Sequence, residues 1–244
     1  MRIYAKGVHY KDLNQNIHRA VANGQKEIFL DGVNGQRYIG GGLKSKIHIT
    51  VNGVPGNDLA SFMDGPTIIV NENAQDGVGN TMNTGKVVIR GDAGDIIGYA
   101  MRGGKIFIQG NVGYRVGIHM KSFKEKHPVI IIGGGAGDFL GEYMAGGLLV
   151  VLGLHQRNRH PFVGNYVGTG MHGGTIYVRG DLKDYQVGRE VGIRRATRQD
   201  MVDLREYLEE FCADLGLNVE RILARKFTKL IPYSSRPYGT LYAY

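Results

Sequence analysis

The chain has 244 residues, enough for one large domain or two small ones with a sizeable core. Its 39 glycines come with only six prolines and no three-residue period, which excludes collagen, and a hydrophobic fraction of 42% argues against disorder. The net charge of +8 is not gathered into a basic block with interleaved aromatic residues, so nucleic acid is not an expected partner.

Cysteine content and hydropathy exclude further classes of protein. The single cysteine, Cys212, excludes a disulfide framework, a four-cysteine zinc site and a self-contained iron–sulfur cluster. The first residues, MRIYAKGVHYKDLN, lack the apolar segment of a secretory signal, and there is no run of about 18 apolar residues. We therefore expect no membrane association and a cytoplasmic location.

The first predicted element is a helix from Asp12 to Asn23. Leu13, Ile17, Ala20 and Val21 form one apolar stripe along it, and Gly24 is a stop signal. Residues 1–26 are predicted to be an N-terminal cap, because the first strand of a stacked sheet would otherwise leave an unpaired edge.

An internal repeat of short apolar strands follows. Each unit has two aliphatic residues, at i and i+2, placed four and two residues before a turn that is glycine in seven of eight units. The pairs are Ile28/Leu30, Ile49/Val51, Ile68/Val70, Val87/Ile89, Ile106/Ile108, Val129/Ile131, Leu149/Val151 and Ile176/Val178. Residues at i and i+2 of a strand point to one face, so each pair is predicted to point into a common core.

A second register lies inside each unit. A glycine or alanine is followed three residues later by Leu43 or by a methionine (Met63, Met82, Met101, Met120, Met144, Met171). Six of the eight methionines occupy this slot, which predicts a continuous buried methionine column rather than a ligand pocket.

Stacking these units predicts an all-β fold: a right-handed parallel β-helix of about seven to eight coils over residues 27–192, with short terminal helices. Glycines at the corners are expected to supply positive φ and to let adjacent turns stack. The glycines predicted as structural turns are Gly91, Gly94, Gly98, Gly110, Gly113, Gly117, Gly137 and Gly141. A left-handed hexapeptide helix would need three six-residue units per coil, and that pattern is absent.

Residues 193–244 are predicted to form a C-terminal helical cap and tail. Thr197 to Asp200 resembles a capping box that begins a helix with Met201, Leu204, Leu208, Phe211 and Leu215 on one face, and Gly216 ends it. A short helix near 218–226 and a tyrosine-rich extended tail follow.

Three kinds of chemistry were considered against this repeat. The glycine spacings lack the lysine and Ser/Thr of a phosphate-binding loop, so a nucleotide site is not predicted. His119 and His172 lie beside the methionine column, either as a metal site or as stacked solvent-side residues. The carboxylates of Glu72, Asp76, Asp92 and Asp95 suggest either structural turn ladders or the acid and base of a carbohydrate-cleaving β-helix enzyme.

Two coils carry insertions, Lys121–Pro128 before one strand and Leu154–Phe162 after the next. They are predicted to project from opposite ends of one sheet, about 15 Å apart. Each contains cations, a histidine, a proline and a phenylalanine, and insertions in a solenoid often mark its binding face. Phe123, Lys124, Arg157, Arg159 and Phe162 are therefore candidate docking residues, with tolerated solvated loops as the alternative.

The motif set resembles a known family. "GVPGNDL", "NAQDGVGNTMNTG", "GDAGDIIGYAMRGG", "GNVGYRVGIHMK", "GDFLGEYMAGG" and "GTGMHGGTIYVRGD" are similar to the C-terminal domain of the large subunit of glutamate synthase, a right-handed β-helix named for its Gly-Xaa-Gly-Xaa-Gly pattern. A shorter version occurs in the C subunit of formylmethanofuran dehydrogenase. The resemblance covers roughly residues 25 to 190.

This resemblance implies a scaffold, since the glutaminase and flavin chemistry of glutamate synthase reside in other domains. It therefore implies no catalytic residue, cofactor or metal in this chain, which is not expected to be catalytic alone. The leading expectation is a structural subunit of a glutamate-synthase-like oxidoreductase, active in glutamate biosynthesis and nitrogen assimilation. Its partners would be glutaminase and flavin/iron–sulfur synthase proteins that carry FMN and iron–sulfur clusters. The alternatives are a scaffold of a formylmethanofuran dehydrogenase-type complex, with a molybdenum or tungsten partner, and a carbohydrate-active β-helix enzyme.

Overall fold

The computed structural model describes residues 1–154 and 162–233. Within these residues, eleven strands and three α-helices follow one another, with a 3₁₀ turn at Asp184–Gln186. In chain order they are β1 (Arg2–Tyr4), α1 (Tyr10–Ala22), β2 (Glu27–Asn34), β3 (His48–Val54), β4 (Asp64–Val70), β5 (Thr84–Ile89), β6 (Lys105–Ile108), β7 (Val129–Ile132), β8 (Ala145–Val151), β9 (Gly173–Arg179), β10 (Val191–Arg195), α2 (Arg198–Leu215), α3 (Val219–Leu223) and β11 (Phe227–Pro232).

The strands form one sheet in the order β1-β2-β3-β4-β5-β6-β7-β8-β9-β11-β10. Strands β1 to β9 are parallel, and each pairs with the next along the chain. The predicted parallel β-helix is thus confirmed. It has about six turns, slightly fewer than the predicted seven to eight. The prediction counted strands, and eight successive strands enclose at most seven turns.

The interior of the coils is a continuous apolar core. Residues in register from coil to coil include Ile49, Ile68, Val87 and Ile106, and all four are buried in this core. Each is the first member of a predicted pair, and its partner two residues on is buried in the same core. The repeat therefore identified the inward face of these strands correctly.

One strand of the repeat was predicted in the wrong register. In β7 the inward residues are Ile130 and Ile132, which pair with Ile106 and Ile108, whereas Val129 and Ile131 face the opposite side. All four residues of β7 are buried aliphatics, so alternation alone could not distinguish the two faces.

The methionine column is interior, as predicted. Met63, Met82, Met101, Met120 and Met144 have no solvent exposure, and Met171 is 2% exposed. Their long flexible side chains fill the space behind the corner glycines; the Sδ atoms of Met82 and Met101 lie beside Gly79 and Gly98.

The two ends of the solenoid are closed differently. Helix α1 begins two residues before its predicted start and buries Leu13, Ile17 and Ala20 in the interior core. At the other end, β11 pairs antiparallel with β9 and β10 pairs with β11, which places Leu230 and Val191 in the same core.

Helix α2 has the predicted limits, with Thr197 as N-cap and Gly216 at φ 67° as C-cap. It does not lie over the end of the coils as the predicted cap would. Instead Leu204, Leu208 and Phe211 form a second core with the outward residues of the sheet. Those sheet residues are Val88, Phe107, Val129, Ile131, Leu148, Val150, Tyr177 and Phe227. The central strands are therefore buried on both faces, as is usual for parallel sheets.

Ionic hydrogen bonds hold α2 at both ends. At its beginning, the nearly buried Asp200 accepts hydrogen bonds from the Tyr177 hydroxyl at 2.7 Å and the Lys229 ammonium at 2.5 Å. Near its end, Glu210 accepts from Lys86 at 3.2 Å and also from Lys105, and Asp214 accepts from Lys86 at 2.7 Å.

Candidate functional site

The corner of each coil that precedes Leu43 or the methionine has three residues with positive φ, at alternate positions. The middle one is the glycine of the repeat (Ala60 in one coil), and the two outer ones, four positions apart, form two columns, called αL columns for their left-handed backbone. The first αL column consists of Tyr38, Asp58, Gly77, Ile96, Arg115, Phe139 and Tyr166. The second αL column consists of Gly42, Phe62, Thr81, Ala100, His119, Tyr143 and Gly170. In both columns the backbone N–H of each residue but the last donates to a carbonyl of the next coil; Arg115, for example, donates to Asp138 at 3.0 Å and His119 to Glu142 at 3.0 Å.

Side-chain ladders run beside the first αL column. Asp76 Oδ1 accepts from the Asp95 backbone N–H at 2.9 Å, and Asp95 Oδ1 accepts from the Tyr114 N–H at 2.8 Å. Asn73, Asp92 and Asn111 form a parallel ladder in which each side-chain oxygen accepts from a backbone N–H of the following coil. These side chains satisfy backbone donors that the tight corners would otherwise leave without partners.

The ladders explain a group of glycines that the sequence analysis assigned to positive φ. Asp76 Oδ1 occupies the space that a β-carbon on Gly94 would need, and Asp92 Oδ1 does the same for Gly110. Neither glycine has positive φ, so the expected conformational reason is wrong for them, as it is for Gly91, Gly113 and Gly137. At these corners the second predicted reason applies, because glycine is needed for close approach between coils.

The other three predicted turn glycines do have positive φ. Gly98, Gly117 and Gly141 lie at 69°, 74° and 68°. A β-carbon on any of them would also collide with an aliphatic side chain across the core, such as Ile130 opposite Gly98. Both their backbone conformation and their position against the core therefore favour glycine, although Ala60 holds the same slot of another coil at φ 62°.

The four carboxylates considered as the acid and base of a carbohydrate-cleaving enzyme have different surroundings. Asp76, Asp92 and Asp95 accept backbone hydrogen bonds within the ladders, whereas Glu72 is exposed outside them. Asp76, Asp92 and Asp95 thereby satisfy backbone donors of neighbouring coils, which is a structural role. Their arrangement supports the structural interpretation of this cluster.

The two histidines are not brought together. His119 stacks on Tyr143, with ring centroids 5.3 Å apart and planes 10° apart, and meets Tyr99 edge-on at 6.0 Å. His172 Nδ1 lies 3.4 Å from the Gly170 carbonyl oxygen. Within residues 1–154 and 162–233, no group of three or more His, Cys, Asp or Glu side chains is placed to hold a metal ion.

The insertion Lys121–Pro128 forms a tight hydrogen-bonded turn that contacts an earlier coil. Phe123 and Lys126 exchange backbone hydrogen bonds of 3.1 and 3.0 Å, and the Lys126 ammonium lies 3.7 Å from Asp64 at the start of β4, three coils earlier. Phe123 is 47% exposed, and the Lys124 ammonium lies 5.5 Å from its ring centroid. This loop therefore presents an aromatic ring and a cation to solvent, and the docking role of Phe123 and Lys124 stays a prediction.

The second insertion differs from its prediction. Phe162 is not an exposed anchor: it is 7% exposed, its ring lies over Gly153, and it belongs to the interior core. Its neighbour Val163 forms a parallel bridge with Ala136, which draws the end of the insertion inward. Arg157 and Arg159 lie outside the described residues, so their proposed docking role stays a prediction.

Sequence analysis missed two features of this fold. The outward sheet face is apolar from β5 to β9, and runs such as Val87-Val88-Ile89 and Ile106-Phe107-Ile108 signalled burial on both faces. Aromatic residues recur in the αL columns, where glycine would be the ordinary choice. Their fixed offset from the corner glycine was visible in the repeat.

Comparison with known proteins places the chain in a family. The GXGXG motif family model matches residues 6–233. The chain belongs to the GXGXG motif family. The ladders show what the motif does physically, because its glycines leave room for the carboxamide and carboxylate oxygens of the neighbouring coil.

A relative and a solved structure extend this comparison. The chain is 46% identical to uncharacterized protein MJ1350 of Methanocaldococcus jannaschii over 248 aligned positions, covering 98% of this chain and 95% of that protein. It is similar in fold, with a TM-score of 0.62 and 22% identity, to a chain of the formyltransferase/hydrolase complex (FhcABCD) from Methylorubrum extorquens, solved in complex with methylofuran. That likeness covers 84% of this chain and 72% of the other.

No helix among the described residues has the length and apolarity needed to cross a bilayer.

Proposed function

We propose that this chain is a non-catalytic scaffold subunit of a multi-subunit enzyme complex. The observation that carries the proposal is the engagement of Asp76, Asp92 and Asp95 in coil-to-coil ladders. The carboxylates considered for acid–base chemistry thus link successive coils of the solenoid. Cys212 is equally unsuited to nucleophilic catalysis, because burial, with a smaller effect of Glu209, raises the pKa of its thiol to about 11.

The better supported host is a formylmethanofuran dehydrogenase-type complex. The solved structure with the similar fold belongs to the formyltransferase/hydrolase complex FhcABCD, itself an assembly of several subunits. A chain built as a stack of similar coils offers long rows of equivalent surface positions, which suits contacts with large partners. In this role the molybdenum or tungsten chemistry would belong to a partner.

The motif set favours a second host, a glutamate-synthase-like oxidoreductase. The GXGXG motif family model covers residues 6–233, and the motif set resembles the β-helix domain of the glutamate synthase large subunit. In this role the chain would have glutaminase and flavin/iron–sulfur partners, and FMN and the clusters would reside in them. The reaction of the complex would transfer the glutamine amide nitrogen to 2-oxoglutarate.

Purification of the tagged chain from its native source tests the proposal and separates the two hosts. We expect other subunits to co-purify in fixed ratio. Molybdenum or tungsten in the complex indicates the first host, and FMN with iron–sulfur clusters and glutaminase activity indicates the second. Recovery of the chain alone, or cleavage of glycans by the purified chain that is lost in Glu72→Gln, would contradict the scaffold role.

A further inference from the structure

Strand β1 forms an open edge of the sheet at the N-terminal end of the solenoid. Among the described strands it has a neighbour only on the β2 side, where the carbonyl of Met1 and the N–H of Ala5 each form a 2.8 Å hydrogen bond with β2. In a parallel ladder alternate residues bond to the same neighbour, so the backbone groups of Arg2 and Tyr4 point away from β2. An unpaired row of N–H and C=O groups is a template for one more strand.

A groove of about 380 Å³ lies between β1 and one face of α1. Its β1 side is formed by residues 1–3. Its α1 side is formed by Asn16, Arg19, Ala20 and the C-cap Asn23, which the helical repeat places on one face. Helix α1 therefore closes the interior of the first coil but leaves a channel beside the outermost strand.

The groove combines an apolar base with hydrogen-bonding walls. Ile3 packs against the interior core and Ala20 is buried in it, so both present apolar surface at the base. The carboxamides of Asn16, Asn23 and Gln25 can each donate and accept hydrogen bonds. Such walls match the alternating N–H and C=O groups of an extended peptide.

The charged side chains that line the groove are both cationic. They are Arg2, which is bound to Asp31 at 2.6 Å, and Arg19, which is exposed and has no ion-pair partner within residues 1–154 and 162–233. The other carboxylates of the first 31 residues do not line the groove, because Glu27 lies on the outward face of β2 and Asp12 in the first turn of α1. The guanidinium of Arg19 is therefore left to pair with a carboxylate of a ligand.

We propose that this groove binds an extended polypeptide segment of a partner subunit, which adds a strand to β1 and places a carboxylate against Arg19. The open backbone groups of Arg2 and Tyr4 identify a polypeptide, since a strand edge pairs with another backbone. A nucleic acid is disfavoured because none of the described lining residues offers an aromatic ring for base stacking. A second copy of this chain is disfavoured because pairing two β1 edges would bring two sets of arginines together. This inference rests on the proposed role as a subunit and specifies where a partner binds.

The first test compares hydrogen exchange, resolved to single amides, in the chain expressed by itself and in the complex that the tagged chain brings from its native source. In the chain alone, the Tyr4 N–H points away from β2 and should exchange rapidly. In the complex its exchange should slow at least about tenfold, because a hydrogen bond to the added strand protects it. The Ile3 N–H bonds to β2 in both samples and is the internal control.

Two matched pairs of variants separate the strand edge from the charge. Tyr4→Pro removes the N–H that points away from β2 and keeps the bonds to β2, and Tyr4→Ala keeps that N–H as its control. Arg19→Glu reverses the charge in the groove, and Lys11→Glu changes an exposed residue of the same helix outside the lining. We expect Tyr4→Pro and Arg19→Glu each to raise the Kd of the partner at least about tenfold at an unchanged melting temperature, while both controls behave like the wild type.

An unprotected Tyr4 amide in a complex with bound subunits would overturn the inference and leave the scaffold role intact. Equal partner affinities within either pair of variants would overturn it as well. If Tyr4→Pro melts below the wild type, the exchange of the wild-type complex and the Arg19 pair decide the outcome. Protection of Tyr4 in a dimer of this chain alone, or by nuclease-sensitive nucleic acid, would identify a different occupant and contradict the inference. If the wild-type chain brings no subunit at all, the proposed function fails together with it.

Discussion

The Oδ1 atom of Asp95 occupies the space that a β-carbon on Gly113 would need, and it accepts a 2.8 Å hydrogen bond from the backbone N–H of Tyr114. The small residue and the ladder acceptor are thus two parts of one contact between coils. Gly113→Ala should therefore both displace the carboxylate and weaken its hydrogen bond. We expect a loss of about 1–3 kcal/mol in the free energy of unfolding, measured with urea.

A double-mutant cycle separates this contact from general strain. In the Asp95→Ala background the space is vacant, so Gly113→Ala should cost less than in the wild type, with a coupling energy of about 0.5–3 kcal/mol. Equal costs in the two backgrounds would show that the glycine is not required by the ladder.

The methionine column is the second test of the interior. Met101 is fully buried, and Met101→Ala should cost about 2–5 kcal/mol because neighbouring coils cannot collapse into the cavity. Val202→Ala, at a position 59% exposed on α2, is the matched control and should change stability by less than about 0.5 kcal/mol. An unchanged melting temperature in Met101→Ala would place the column outside the packed core.

The acid stability of the chain should depend on Asp200. Burial raises the pKa of this carboxyl, but hydrogen bonds from Lys229, Thr197 and Tyr177 outweigh burial and hold the pKa well below its usual range. A depressed folded-state pKa gives stability that is present above the unfolded pKa of about 4 and is lost as the pH falls through the folded value.

Asp200→Asn should therefore cost about 3 kcal/mol at pH 7, since it leaves the Lys229 ammonium without its carboxylate. Its stability should fall less steeply than that of the wild type below about pH 4. Asp203→Asn, which changes an exposed carboxylate on the same helix, should leave the wild-type slope intact. Parallel pH profiles for Asp200→Asn and wild type would contradict this assignment.

Cys212 can report on the docking of α2. The thiol is 4% exposed, and burial with a smaller effect of Glu209 raises its pKa to about 11, so it should react slowly with Ellman's reagent at pH 8. Phe211 packs edge-on against Phe107 at 5.7 Å, and Phe211→Ala should loosen α2 and accelerate the reaction. Phe123→Ala, at an exposed ring, should not. Rapid labelling of the wild type would mean that α2 is not held on the sheet.

The coil interior could be predicted from sequence because each strand offered a clear inward pair, such as Ile106 and Ile108. The prediction failed at β7, where Val129 to Ile132 are all aliphatic and only the stacking partners decide which face is inward. Helix α2 could be bounded by its Thr197 cap and Gly216, but its position on the outer face depends on tertiary packing.

The candidate site was less predictable for a similar reason. Phe123 and Phe162 occur in similar contexts in the sequence, yet one is exposed and the other is buried over Gly153. The backbone conformation that makes Tyr143 and Tyr166 unusual depends on hydrogen bonds between successive coils. A single unit of the repeat does not contain that information.

The scaffold role is tested most directly by native mass spectrometry of the endogenous protein, followed by dissociation and cofactor analysis of each subunit. The account predicts an assembly in which this 26.8 kDa chain is bound to other polypeptides and carries no metal or flavin after dissociation. A population consisting only of this chain, or a redox cofactor that stays with it on dissociation, would contradict the account.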